Sequence, residues 1–121
     1  PLLFMMDVIH GYRTIFPAPI AQGASFDPEI SKRAASVAAR ETSAAGIHVV
    51  FSPMVDLVRD PRWGRVMEST GEDPYLNSRF AVAQIHGFQG DDMKEDGKVC
   101  GCIKHFAGYG GAEAGREYNT V

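Results

Sequence analysis

Val49 to Asp73 reads VVFSPMVDLVRDPRWGRVMESTGED, and the change of character part-way along it decides the fold. Ile47 to Phe51 is a short apolar run, and the strand it predicts extends to Val55 with Pro53 late in it. That is the pattern of a strand buried on both faces of a parallel sheet. The run passes directly into a loop carrying Asp56, Arg59, Asp60, Arg62, Arg65, Glu68, Glu72 and Asp73 around the single Trp63. Loops of this length are uncommon in compact domains, and binding and catalytic residues concentrate on them. Charged groups around an aromatic ring at a strand end suit a polar ligand with an apolar face, such as a sugar. They equally suit a solvated loop closed by its own Arg–Asp pairs, and these residues alone leave both readings open.

Working outward, the spacing predicts helices on both sides of this stretch. Asp27-Pro28-Glu29 supplies a capping carboxylate, a proline suited to the first turn and an acid at the positive end of the dipole. Ile30, Ala34, Val37, Ala38 and Ala45 then mark an apolar face, and Gly46 closes the helix. Asp73-Pro74 repeats the start, with Asp73 as cap, and the helix runs to about Gln89 with Leu76, Phe80, Ala83 and Phe88 inward. Further strands are expected at Leu2–Met6, which reads as buried, and at Val99–Ile103, with a short one at Ile20–Ala24. Asp91 to Lys98 reads as a solvated turn, and the tail from Ala107 as a glycine-rich loop.

Strand, helix, strand, helix, strand is the order of an α/β fold with a parallel sheet. Each apolar run ends directly in ionisable groups. Asp7 follows the first, Asp56 and the arginines the second, and Lys104 with His105 the third. Parallel α/β folds bind ligands beyond the carboxyl ends of their strands, so three charged ends in succession point to one shared site.

Composition narrows the field further. The chain has 121 residues, of which 45% are hydrophobic and 22% charged, as in ordinary globular proteins. A net charge of −3 with no basic cluster argues against a nucleic-acid partner. No apolar run approaches the roughly 20 residues of a membrane span. Cys100 and Cys102 stand too close along a strand for an unstrained disulfide and read as small core residues. Phosphate-loop, H-E-x-x-H, paired C-x-x-C and G-x-S-x-G patterns are absent, and no metal or cofactor is expected. A start at Pro1, directly into an apolar run, and an end within a loop lead us to expect an internal fragment, residues 1–121, of a larger domain.

Three long motifs in order carry a likeness: FMMDVIHGYRTIFPAPIAQGASFD, SPMVDLVRDPRWGRVMESTGEDPYL and IKHFAGYGGAEAGREYNTV. Together they resemble the N-terminal barrel domain of glycoside hydrolase family 3, especially bacterial β-glucosidases of the periplasmic kind. The resemblance implies a (β/α)₈ TIM-type barrel, with about half of it present. It implies a periplasmic or secreted protein, and retaining hydrolysis of terminal non-reducing β-D-glucosyl residues by a pair of carboxylates. It also gives substrate-binding roles to particular residues. Asp7 would accept from the sugar hydroxyls, with Arg13 nearby. Arg65 would reach the same sugar, Lys104 and His105 would grip neighbouring hydroxyls, and Arg116 matches an arginine found in part of the family.

Neither member of the bond-breaking pair is expected here; both should lie beyond Val121, and Asp7, Asp56, Glu68, Glu113 and Glu117 are not assigned to those roles. The partners implied are β-linked glucosides or oligosaccharides, the remainder of the barrel and a second domain. Alone, the 121-residue chain should be inactive, and poorly soluble or partly unfolded. Arg62 and Glu72 are expected to form a structural ion pair, and Trp63 to sit in the core. Ala107 and Tyr109 depart from the KHFPGHG-like motif of the N-acetylglucosaminidase branch. Three alternatives stay open: a β-xylosidase, a non-catalytic carbohydrate-binding barrel, and a lyase forming a Schiff base at Lys104.

Overall fold

The computed structural model describes residues 1–120. Its elements run β1 (Met5–Met6), α1 (Pro19–Gly23), α2 (Pro28–Ala44), β2 (Val49–Val50), α3 (Pro74–Gln89) and β3 (Cys100–Gly101). Three short 3-10 turns, Val66–Glu68, Tyr109–Gly111 and Glu113–Gly115, punctuate the loops. The three strands lie parallel in the order β1-β2-β3, with Met5 opposite Val49 and Val49 opposite Cys100. The α/β parallel architecture is therefore as the sequence implies, while the strands are shorter than their apolar runs. One reason lies in β2, where Pro53 has no N–H to give to a ladder. Pairing resumes beyond it: Met54 bridges Lys104 in parallel, and the Val55 amide donates to the Lys104 carbonyl at 2.8 Å.

The core lies on one side of the sheet. Val8, Val50 and Val99 meet Ala35, Ala38 and Ala39 of α2 and Phe88 of α3. Both long helices start as their sequences dictate. The Asp27 side chain accepts from the Glu29 amide at 3.0 Å, and that of Asp73 from the Leu76 amide at 2.6 Å. The buried stripe of α2 is Ser31, Ala34, Ala35, Ala38, Ala39 and Thr42, so Ala45 is exposed and Ile30 and Val37 are half-buried, contrary to expectation. In α3 the buried set is Asn77, Phe80, Ala83, Gln84, Gly87 and Phe88, leaving Leu76 half-buried. The two helices pack tightly because their facing residues are small. A Cβ on Gly87 would come within 2.6 Å of the Ala35 Cβ and 2.5 Å of the Lys32 carbonyl oxygen.

Three expectations are corrected. Ile20–Ala24 is not a strand, because Pro19 opens the five-residue helix α1 there. Its Gln22 side chain bonds to Ser31 of α2, and its Gly23 lies against the backbone of Thr70. Leu2–Met6 is exposed rather than buried, with Leu3 at 66% and Met5 at 52%. Cys100 and Cys102 are exposed free thiols rather than core residues. For Leu3, Met5 and the two cysteines the cause is the same, whereas Met6 lies level with Val50 and is exposed at the β1 edge of the sheet. Side chains alternate across a sheet, and the register puts Met5 and Cys100 level with Val49, on the face opposite Val50 and Val99. The helices cover only the face of Val50 and Val99, and among the described residues nothing covers the other.

Candidate active-site half

Alternation also decides which side chains reach the open face at the strand ends. Counting on from Met5 places Asp7 and Ile9 there; from Val49, Phe51; from Cys100, Lys104. These residues, with Arg65, Glu68 and His105, line an open cavity of about 540 Å³. The Lys104 ammonium donates to Asp7 Oδ1 at 2.8 Å, tying together residues 97 apart in sequence. Lys104 is nearly buried, its side chain 13% exposed, whereas that of Asp7 is 64% exposed and open to a ligand. The peptide bonds Lys104–His105 and Phe106–Ala107 are cis.

Arg65 comes from the charged loop, just ahead of the Val66–Glu68 turn. That turn brings Glu68 back beneath it, and the guanidinium grips the carboxylate with two bonds, Nε to Oε1 at 2.6 Å and Nη2 to Oε2 at 2.7 Å. The bidentate pair holds the Glu68 carboxyl below its usual range. Burial opposes this, and the charges of Arg65 and Lys104 reinforce it. Glu68 in turn raises the Arg65 guanidinium, against the cost of its own burial. Arg65 Nη1 lies 3.3 Å from His105 Nε2, so the arginine bridges the loop and the third strand end.

Aromatic rings back this arrangement. Tyr109 stands edge-on to His105, with centroids 4.7 Å apart, and edge-on to Trp63 at 5.3 Å. The Arg65 guanidinium carbon lies 5.3 Å from the centre of the same tyrosine ring. Trp63 is a core residue, 2% exposed, with its indole N–H donating to Glu117 Oε1 at 2.9 Å. Behind His105 lies Asp56, whose side chain is 2% exposed and accepts from His105 Nδ1 at 2.7 Å.

Asp7, Arg65, Lys104 and His105 therefore converge on one cavity. Arg13 and Arg116 are not among the residues lining it. Arg13 is exposed, and its backbone amide donates to Glu41 of α2 at 2.8 Å; Arg116 is exposed beyond the last 3-10 turn. Arg62 pairs with Asp60 at 2.6 Å, not with Glu72, because Asp60 lies only two residues away within the same turn. Sequence reasoning counted Asp56 among the charged strand ends and offered Glu68 as a structural partner of Arg65, but it assigned neither of them, nor Tyr109, to the site. For Asp56 a signal was available: it is the one charged residue in VVFSPMVDLV, and a carboxylate buried in an apolar run needs a partner. Among the described residues no group of His, Cys, Asp and Glu is placed to hold a metal.

Comparison with known proteins gives the family. The family model described as "Glycosyl hydrolase family 3 N terminal domain" matches residues 1–121. The chain belongs to glycoside hydrolase family 3. It is 42% identical over 121 residues to the periplasmic β-glucosidase of Salmonella typhimurium, covering all of this chain and 16% of that protein. To a β-xylosidase of Formosa agariphila it is 43% identical over 110 residues, 88% of this chain and 15% of that protein. Among solved structures, the β-glucosidase of Listeria innocua in complex with glucose superposes with a TM-score of 0.97 at 60% identity, over 100% of this chain and 17% of that one. The chain thus spans about a sixth of the length of these relatives.

Proposed function

We propose that residues 1–121 form about half of a (β/α)₈ barrel within a longer, retaining β-glucosidase, and that they carry its sugar-gripping side. The observation that carries this reading is the meeting of Asp7, Arg65, Lys104 and His105 around one open cavity from elements far apart in sequence. A sugar hydroxyl both donates and accepts. A carboxylate beside ammonium and guanidinium donors can therefore satisfy it from both sides with charge-assisted bonds. Losing a hydroxyl leaves a desolvated charge unpaired, which gives such a site its discrimination between sugars. Glu68 keeps the Arg65 guanidinium aimed and neutralises part of the local positive charge.

The open sheet face and the exposed Ile103, beside Val82 and Ile85 of α3, are consistent with further barrel strands and helices packing here. A barrel of this type takes about 250 residues. The carboxylates that attack the anomeric carbon and protonate the leaving group would lie in the rest of the protein, about 5–5.5 Å apart as retention requires. The periplasmic relative supports a site of action outside the cytoplasm. No cofactor is required by this chemistry.

The test uses the intact protein. Calorimetric titration with glucose and turnover of aryl β-glucoside should both succeed, and Asp7→Asn should cripple both. Wild-type protein with no saturable glucose binding would overturn the reading. A second substrate class, β-xylosides, is favoured by the Formosa agariphila relative. Aryl β-xyloside turned over faster than aryl β-glucoside would assign the protein to that class instead.

A further inference from the structure

Asp56 is the most deeply buried carboxylate beside the cavity, yet it does not line it. Its Oδ2 accepts from His105 twice, from the backbone N–H at 3.1 Å and from ring Nδ1 at 2.7 Å. The segment is clamped from both sides. Ser69 Oγ donates to the Asp56 carbonyl at 2.7 Å, and the neighbouring Val55 amide donates to the carbonyl of Lys104 at 2.8 Å. The carboxylate and the imidazole are thus fixed relative to each other by backbone as well as side-chain bonds.

We propose that Asp56 is a positioning residue for sugar recognition that acts through His105, fixing its orientation and its tautomer so that Nε2 faces the ligand as an acceptor. This rests on the sugar-binding reading given above. An ionised carboxylate only accepts hydrogen bonds, so the proton of a neutral His105 belongs on Nδ1. The other side of the ring agrees: Nε2 lies 3.3 Å from Arg65 Nη1, and a guanidinium only donates. Nε2 therefore carries a lone pair, shared between Arg65 and an incoming hydroxyl. The cavity then divides its labour, with Lys104 and Arg65 as donors and Asp7 and His105 Nε2 as acceptors. Nothing in the Lys104–His105–Phe106 sequence reveals this division, since a histidine nitrogen takes either role until the partner of the other nitrogen is known.

The experiment has two arms on the intact protein. First, selective ¹⁵N labelling of histidine, with His105 assigned by its absence from His105→Ala, reads the tautomer directly by NMR. A proton on Nδ1 and none on Nε2 is expected; a proton on Nε2 overturns the proposal. Second, glucose affinity is measured for Asp56→Ala, Asp56→Asn and the same changes in a His105→Ala background. Asp56→Ala should bind about 10- to 100-fold more weakly, the range for a hydrogen bond to a charged group. Asp56→Asn should recover to within a few-fold of wild type, because both contacts fall on one oxygen that an amide carbonyl can replace. In the His105→Ala background, Asp56→Ala should have almost no further effect. Affinity unchanged in Asp56→Ala, or an equal loss with and without His105, overturns the proposal. Wild-type protein that does not bind glucose would sink the substrate reading instead, and the tautomer would still decide the role of Asp56.

Discussion

The two faces of the small sheet are built on opposite rules. The helix-covered face is closed by small apolar side chains, Ala35, Ala38 and Ala39 against Val8, Val50 and Val99, with no ionised group among them. The open face ends in ionised and polar groups that complete one another in pairs: Lys104 with Asp7, Arg65 with Glu68, His105 with Asp56. The first face gets its stability from area removed from water and from close packing, which are local and non-directional. The second depends on the aim of a few bonds, contributes less to holding the chain together, and leaves the exposed Asp7 able to exchange a protein partner for a ligand. On the proposed sugar-binding reading, stability and recognition fall on different residues, and substitutions should separate them.

The sharpest test of that separation is Phe88→Ala on the covered side, where Phe88 packs with Val50 and Val99. Phe88 is 3% exposed, and emptying its site should cost about 3–5 kcal/mol in a denaturant melt of the intact protein. Sugar affinity in the surviving folded fraction should change little. Asp7→Asn should do the reverse. A loss of roughly 100-fold in kcat/KM is expected from losing a charge-assisted acceptor, with the melting midpoint almost unmoved because the carboxylate is largely exposed. A large fall in stability for Asp7→Asn would break the comparison.

Smaller effects refine it. Gly87→Ala forces a methyl group into the α2–α3 crossing and should cost about 1–3 kcal/mol, again read by denaturant melt. Asp73→Ala removes the cap of α3 and should cost about 1 kcal/mol. The smallest effect is one of pH. The folded carboxyl of Glu68 titrates below the ordinary 4.5. Its pair with Arg65 therefore adds stability in full above that value, and the contribution is lost as pH falls through the lowered folded one. Glu68→Gln should lower stability across the neutral region and flatten the acid limb of the profile below about pH 4.5, so that the variant converges on wild type in acid.

How much of this was legible in the sequence follows from how local each signal is. The starts of α2 and α3 are written in Asp27-Pro28 and Asp73-Pro74, because a cap needs only its next few residues. The three charged strand ends were legible for a similar reason, since each directly continues an apolar run. Tertiary matters were not. Met5 and Cys100 look like core residues, and no property of either says which face of the sheet the helices cover. Arg62 had acids at both Asp60 and Glu72, and only the turn geometry chooses between them. Ile20–Ala24 has the composition of a strand, but Pro19 at the first helical position and the close approach of Gly23 to Thr70 override it. Asp56 was visible as a lone carboxylate, while its partner lies 49 residues further on.

The paired thiols of Cys100 and Cys102 offer a practical handle. Both are accessible on the bare side of β3, so an alkylating reagent should label them readily wherever that side meets solvent. If further barrel segments pack over that side, as the proposed half-barrel reading requires, labelling should slow sharply, and these two sulfur atoms would report that packing without any added probe.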